Sequence, residues 1–204
     1  NLEIVGGNPY SIHVVPPCDG AEIVGCRIHG ANWINIKVSQ PNNVKLRRST
    51  IYNSGTITAG GMGIDCVNGD NLVIEDCHFY DCNGAGIYVK GGLRNAIIQR
   101  NLVRNVTGQG IVLGESTGVS FMDQVGNPEL YEAIDCIVRN NIIVGSGTSG
   151  MDTYGTLRCK VYNNTFWNVA LNNGAGIRVI KATHTGFPDT PHRLTEFRNN
   201  IISV

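Results

Sequence analysis

Apolar and polar residues alternate in two short phrases that recur along the chain. The first phrase has a glycine-rich opening, an isoleucine or methionine, a variable residue and a third residue that is usually apolar. Its copies are WINIKV (33–38), GMGIDCV (61–67), GAGIYV (84–89), GQGIVL (108–113), TSGMDTY (148–154) and GAGIRV (174–179). The leading apolar residue returns with a basic period of roughly 23 residues, lengthened in places by insertions, and this periodicity predicts a repeat protein.

The second phrase runs in step with the first and has alternating apolar residues, a polar pair and a further apolar residue. Its copies are AEIVGCRI (21–28), VKLRRSTI (44–51), LVIEDCHF (72–79), AIIQRNLV (96–103), CIVRNNII (136–143), CKVYNNTF (159–166) and TEFRNNII (195–202). Alternation over four or five residues is the period of a strand. Asparagine recurs at the bend, at Asn101, Asn141, Asn164 and Asn200. Stacked asparagines that hydrogen-bond between neighbouring copies can hold parallel strands together.

The glycines of the first phrase have two interpretations. A glycine-rich loop that holds phosphate leads into a helix. Every copy here leads instead into a short strand, so we interpret these glycines as the corner residues of a scaffold.

Short strands separated by glycine and asparagine bends predict a solenoid in which each rung, one turn of the chain, contributes three strands. Successive rungs stack about 4.8 Å apart through parallel ladders. The two phrases resemble the right-handed parallel β-helix repeat of the pectate-lyase-like superfamily, over nearly the whole chain. We therefore expect one all-β domain over residues 1–204 with seven to eight rungs, as a region of a longer protein.

Two insertions interrupt the repeat and mark a candidate site. The first insertion, GESTGVSFMDQVGNPELYEA, follows Leu113, and the second insertion, IKATHTGFPDTPHR, follows Val179. Both leave the end of the same strand of the repeat, two rungs apart. Long loops concentrated beside one face of a solenoid are typical of the walls of a groove.

The candidate chemistry lies on the outward face beside these insertions. By alternation, the outward residues of the first phrase are Lys37, Asp65, Tyr88, Val112, Asp152 and Arg178. The resemblance implies a carbohydrate-active protein, extracellular or periplasmic, and a lyase that breaks an acidic, uronic-acid polysaccharide by β-elimination. In that hypothesis Arg178 holds the sugar carboxylate, and Lys90, Lys181 or Tyr154 acts as base. Tyr88, Asp152 and His184 contact the substrate.

A Ca²⁺ ion is a second way of neutralising the sugar carboxylate. Asp152 with Glu115 or Asp123 supplies the oxygen ligands that such an ion prefers. The sequence therefore makes these three carboxylates the candidate metal ligands.

Two other classes of function stay open. Two ion pairs of this face also have a purely structural interpretation, in which they only stabilise the contact between neighbouring rungs. They are Lys37 with Asp65 and Asp152 with Arg178. A non-catalytic carbohydrate-binding module, an adhesin or a tailspike segment would have such a face. A glycoside hydrolase of the same fold is the third alternative, although the Asn-Thr-Asp, Asp-Asp and Gly-His-Gly signatures of polygalacturonases are absent.

The composition of the chain limits the kinds of partner that it can have. Sixteen basic residues balance sixteen acidic ones, which argues against a nucleic-acid partner. No apolar run has the length of a membrane span. The repeat positions of the cysteines predict buried thiols rather than a disulfide framework or a metal site. Neither end has an evident cap, and uncapped rungs would permit end-to-end or side-by-side self-association.

Overall fold

The computed structural model describes residues 2–40 and 42–204 and confirms an all-β parallel solenoid of about seven turns. In its named strands, every ladder is parallel and joins equivalent strands of adjacent rungs. A 3₁₀ helix, Val119–Phe121, lies in the first insertion. In the described part of the chain, no helix is long and apolar enough to cross a membrane.

The strands are short, as the alternation predicts. In chain order they are β1 (Glu3–Val5), β2 (Tyr10–Val14), β3 (Glu22–Val24), β4 (Arg27–His29), β5 (Ile34–Ser39), β6 (Lys45–Arg47), β7 (Thr50–Tyr52), β8 (Ile64–Val67), β9 (Val73–Glu75), β10 (His78–Tyr80), β11 (Ile87–Lys90), β12 (Leu93–Arg94), β13 (Ile97–Gln99), β14 (Leu102–Val106), β15 (Ile111–Leu113), β16 (Ala133–Ile134), β17 (Ile137–Arg139), β18 (Ile142–Ser146), β19 (Met151–Tyr154), β20 (Thr156–Leu157), β21 (Lys160–Tyr162), β22 (Thr165–Trp167), β23 (Ile177–Ile180), β24 (Glu196–Arg198) and β25 (Ile201–Ser203).

Three long sheets and one short sheet run along the solenoid. Sheet 1 contains the first phrase and has the order β2-β5-β8-β11-β15-β19-β23. Sheet 2 has the order β3-β6-β9-β13-β17-β21-β24, and sheet 3 has β1-β4-β7-β10-β14-β18-β22-β25. The second phrase supplies both, with the asparagine bend between them. Sheet 4, with the order β12-β16-β20, lies between sheets 1 and 2 in the middle rungs.

The core is a stack of equivalent inward residues. The register of sheet 1 aligns Ile36, Ile64, Ile87, Ile111 and Met151 in one row, and all five are buried. Burying an aliphatic side chain of this size stabilises the fold by about 1.5–3 kcal/mol. The hydrophobic effect therefore fixes the register, because a slip of one residue would turn this row outward.

The expected asparagine ladder is confirmed. The side-chain amide of Asn101 donates to Asn141 at 3.0 Å, Asn141 to Asn164 at 2.9 Å, and Asn164 to Asn200 at 3.0 Å. Asn141 also donates to the carbonyl of Ile98. A buried amide left without partners would cost about 1–3 kcal/mol. Each asparagine therefore depends on the asparagine of the neighbouring rung for its hydrogen bonds.

The glycines of the first phrase are needed for a reason other than a turn. A Cβ atom at Gly63, Gly86, Gly110 or Gly150 would lie 2.6–2.9 Å from the carbonyl oxygen of the equivalent glycine in the next rung. None of these four has a positive φ. Close approach of adjacent rungs therefore selects glycine at these positions. The glycines belong to the scaffold, as predicted, but the cause is this close approach and not a corner in the chain.

Candidate functional site

The predicted outward row exists. Parallel register along sheet 1 places Lys37, Asp65, Tyr88, Val112, Asp152 and Arg178 side by side on consecutive rungs. His13 extends the row by one rung. We call this outward side of sheet 1 the groove face.

Arg178 and Asp152 form an ion pair with two hydrogen bonds on the groove face. The Nε atom of Arg178 donates to Oδ1 of Asp152 at 2.7 Å, and a second guanidinium nitrogen donates to Oδ2. Gln109 also donates to this fully buried carboxylate, at 2.9 Å. The Arg178 side chain is 36% exposed. Since a guanidinium has five N–H donors, its outer edge is left to face solvent or a ligand.

Tyr154 lies on the same strand as Asp152, two residues further on. Burial, followed by the negative charge of Asp152, raises the pKa of the Tyr154 phenol. The phenol is therefore protonated at neutral pH. In this state Tyr154 can donate a proton to a substrate but cannot remove one.

A second group of side chains lies at β11. Lys90 pairs with Glu115 at 2.8 Å, and its ammonium lies 4.6 Å from the centre of the Tyr88 ring. Burial, followed by the charge of Glu115, raises the pKa of Tyr88 strongly. Tyr88 packs with Val112, and Tyr154 packs against the same cluster. This apolar strip, in which Tyr88 and Val112 are buried, lies between the two ionic groups.

Asp65 is the residue whose importance the sequence did not indicate. Lys37 lies 2.5 Å from its Oδ2 atom, whereas its buried Oδ1 atom has no hydrogen-bond partner among the residues that the structure describes. Leaving a buried polar atom unsatisfied costs about 1–3 kcal/mol or more. The Oδ1 atom is therefore an unsatisfied buried acceptor beneath the groove face.

The two insertions leave the same edge of sheet 1, as expected, and they also contact each other. The hydroxyls of Ser116 and Thr183 are 3.1 Å apart, and the Thr190 hydroxyl donates to the carbonyl of Glu129 at 2.8 Å. A cleft of about 340 Å³ opens between them, lined by Ser116, Thr117, Gly118, Val119, Ser120, Thr183, His184 and Thr185. The insertions together form one wall of the groove.

Three predicted site residues lie away from the groove face. His184 is buried, and both of its ring nitrogens contact backbone carbonyls, so it does not present a nitrogen to a substrate. Asp123 pairs with Arg94 at 3.1 Å. Lys181 lies on the exposed wall, where it pairs with Asp189.

The candidate metal ligands do not fit a shared ion. Both oxygens of Asp152 accept hydrogen bonds from Arg178, and Glu115 and Asp123 are each paired with a different cation. Within residues 2–40 and 42–204, no three His, Cys, Asp or Glu side chains are grouped closely enough to hold a metal. We therefore derive no step that uses Ca²⁺.

Comparison with known proteins identifies the family. Residues 1–125 match the family model described as "Right handed beta helix region". No curated protein sequence matches the chain. Similar solved structures include the A-modules of the mannuronan C-5 epimerases AlgE4 and AlgE6 of Azotobacter vinelandii, each 12% identical, with TM-scores of 0.45 and 0.49. They also include an alginate lyase from Paenibacillus sp., which is 13% identical with a TM-score of 0.42.

The aligned lengths differ between the two sides of each comparison. The alignments cover 90% and 100% of this chain but 62% and 55% of the two epimerase modules. For the alginate lyase they cover 93% of this chain and 76% of the lyase. The family model alone matches more than half of the chain, and the chain belongs to the right-handed β-helix family.

Proposed function

We propose that the chain is a carbohydrate-active protein that binds an acidic, uronic-acid polysaccharide along the groove face and cleaves it by β-elimination. One observation carries the proposal. Arg178 has one edge of its guanidinium fixed on buried Asp152, and its side chain is 36% exposed, near the protonated phenol of Tyr154. A planar cation held in this way is well suited to a carboxylate, which it can bind with two parallel hydrogen bonds.

Each step of the elimination has a group on this surface. The outer edge of Arg178 pairs with the sugar carboxylate and stabilises the negative charge that develops when the neighbouring carbon loses its proton. A carbon–carbon double bond forms as the bond to the glycosidic oxygen breaks. That oxygen takes up a proton, and Tyr154 is the donor.

The base is Lys90, because Lys181 lies away from the groove face, on the exposed wall. Lys90 is paired with the carboxylate of Glu115 at 2.8 Å. An amine takes up the carbon proton only after giving up its own, so the paired carboxylate must first accept that proton. A substrate that excludes water from the groove disfavours the charged forms of both partners and so favours this transfer.

Binding without cleavage is the second candidate function. It is favoured by the same contacts, since Lys90 is paired with the Glu115 carboxylate and the phenol of Tyr154 is protonated. A hydrolase is not favoured by the geometry. Asp152 is fully buried with both oxygens engaged, so it cannot serve as one of the two carboxylates that flank a scissile bond. With either polysaccharide function, we propose that the protein acts outside the cytoplasm.

The test is an elimination assay with a panel of uronic-acid polysaccharides, run with and without a calcium chelator. Elimination produces an unsaturated uronate, which is followed by its ultraviolet absorbance. We expect a rise that is lost in Arg178→Ala and kept in Arg198→Ala, which removes an exposed arginine from sheet 2. Binding with no rise supports the second candidate. If the folded protein neither binds nor cleaves any of these polysaccharides, both candidate functions are contradicted.

A further inference from the structure

His184 makes two contacts that a neutral imidazole cannot make together. Its Nδ1 atom lies 3.0 Å from the carbonyl oxygen of Thr117, and its Nε2 atom lies 3.1 Å from that of Leu130. A carbonyl oxygen only accepts hydrogen bonds, and a neutral imidazole carries one N–H. Both contacts are hydrogen bonds only if both ring nitrogens carry a proton.

Glu132 supplies the opposite charge. Its carboxylate is fully buried, and Oε1 lies 3.6 Å from Nε2 of His184. It accepts the backbone N–H of Gly91 at 2.7 Å, and both the backbone N–H and the hydroxyl of Thr117 at 2.6 Å. Backbone N–H groups only donate, and they engage both oxygens, so both must be acceptors. This is the pattern of an ionised carboxylate.

These contacts join three separate segments next to the groove face. Gly91 directly follows Lys90 in the turn after β11, Thr117 lies in the first insertion two residues after Glu115, and His184 lies in the second insertion. The Glu132 carboxylate therefore accepts hydrogen bonds from the backbone next to Lys90, at Gly91, and from the backbone near Glu115, at Thr117.

We propose that Glu132 and His184 form an ionised, buried pair that holds the two insertions together and positions Lys90 and Glu115 at the groove face. Neither residue contacts the substrate, so both are positioning residues. Their effect on polysaccharide binding rests on the proposed function, whereas the charge state of the pair does not. Removing one partner of a buried ion pair leaves an uncompensated charge, which makes the two residues interdependent.

The charged side chains around Glu132 and His184 are paired with one another, so these two residues neutralise each other. Among the described residues, no other acidic side chain lies within ion-pair distance of His184. On the packed insertions, Glu129 faces Arg193, Asp189 faces Lys181, and Glu115 faces Lys90. Burial raises the pKa of Glu132, and this is opposed by the hydrogen bonds from Thr117 and Gly91 and by the charge of His184.

The direct test is nitrogen NMR of the protein labelled with ¹⁵N-histidine, at neutral pH and without polysaccharide. We expect His184, assigned from the spectrum of His184→Gln, to show two protonated ring nitrogens. His192 is the internal control. Its Nδ1 atom accepts the backbone N–H of Thr156 and its Nε2 atom donates to the carbonyl of Thr153, so it should show one. A neutral His184 would overturn the proposal.

Glu132→Gln keeps the shape, removes the charge and replaces one acceptor oxygen by an NH2 donor, so the protonation of His184 is the result that separates an ionised pair from simple packing. We expect His184 to lose its second proton in this variant, and amide hydrogen exchange in residues 181–193 to rise at least about tenfold, with other rungs unchanged. Circular dichroism checks that the solenoid is folded. Unchanged protonation and exchange would contradict the proposal.

Polysaccharide binding then tests the positioning role separately. We expect Glu132→Gln to weaken the binding of a polyuronate by about tenfold, which corresponds to 1.4 kcal/mol. If the second insertion loosens but binding is unchanged, the positioning role is wrong. If the wild-type protein binds no polyuronate while the NMR signature is present, the proposed function fails and the ion pair stands.

Discussion

The guanidinium of Arg178 binds the carboxylate of Asp152 from the adjacent rung, with Nε of Arg178 2.7 Å from Oδ1 of Asp152. Asp152 is inaccessible to solvent, whereas Arg178 is partly exposed. The pair therefore acts as an anchored cation. Its buried half fixes the orientation of the half that faces the groove.

Asp152→Asn should destabilise the fold, because the new amide group would present N–H donors to Arg178 or Gln109, which also donate. We expect a loss of about 1–3 kcal/mol in the free energy of unfolding, measured with urea. Asp135→Asn is the matched control. Asp135 pairs with Arg158 in an exposed position and its loss should change little. Equal effects of the two substitutions would contradict the anchoring role.

The buried phenols should make the fold sensitive to alkali. Burial raises the pKa of Tyr88 and of Tyr154 above the ordinary value of 10.0. The unfolded chain therefore loses these protons first, so stability is full below about pH 10 and falls as the pH rises further. Unfolding titrations across this range measure the slope. Tyr88→Phe should reduce it, and an unchanged slope would contradict the assignment.

The asparagine ladder should be most sensitive at its middle. Asn141 has ladder partners on both sides, whereas Asn200 lies at the end of the described ladder. We expect Asn141→Ala to cost about 2–4 kcal/mol, since amide groups of both neighbours lose a partner, and Asn200→Ala to cost roughly half as much. Urea unfolding of the two variants gives the comparison. A larger loss of unfolding free energy in Asn200→Ala than in Asn141→Ala would contradict the stabilising role of ladder partners on both sides.

Close approach of the rungs predicts a large effect at Gly110. A Cβ atom there would collide with the side chain of Ile143 and lie 2.7 Å from the carbonyl oxygen of Gly150. We expect Gly110→Ala to destabilise the fold by about 1–3 kcal/mol or more. Gly118→Ala is the control, because its Cβ would meet only Phe121 at an ordinary 3.5 Å. Similar thermal unfolding of both variants would contradict the steric cause.

The repeating part of the fold was predictable from the sequence. Inward Ile64 and Ile87 and outward Asp65 and Tyr88 follow from alternation once the period is known, because parallel stacking puts equivalent residues on adjacent rungs. The prediction that the glycines are scaffold was right, but their cause was not visible. A Cβ clash between rungs depends on the backbone separation, which composition does not encode.

The insertions were predictable only in where they begin. They carry no repeat, so nothing in the sequence pairs Asp123 with Arg94 or buries His184 against Thr117 and Leu130. Asp65 was underestimated for a related reason. An ion pair with Lys37 is expected from their adjacent rungs, but the burial that leaves its Oδ1 atom without a partner depends on the packing around it.

The central claim is that the groove face binds an acidic polysaccharide through Arg178. Titration calorimetry of a polyuronate into the wild-type protein, Arg178→Ala and Arg198→Ala tests it most directly. We expect binding that weakens by at least about tenfold in Arg178→Ala and is unchanged in Arg198→Ala. Equal affinity of all three folded proteins, or no binding by the wild-type protein, would contradict it.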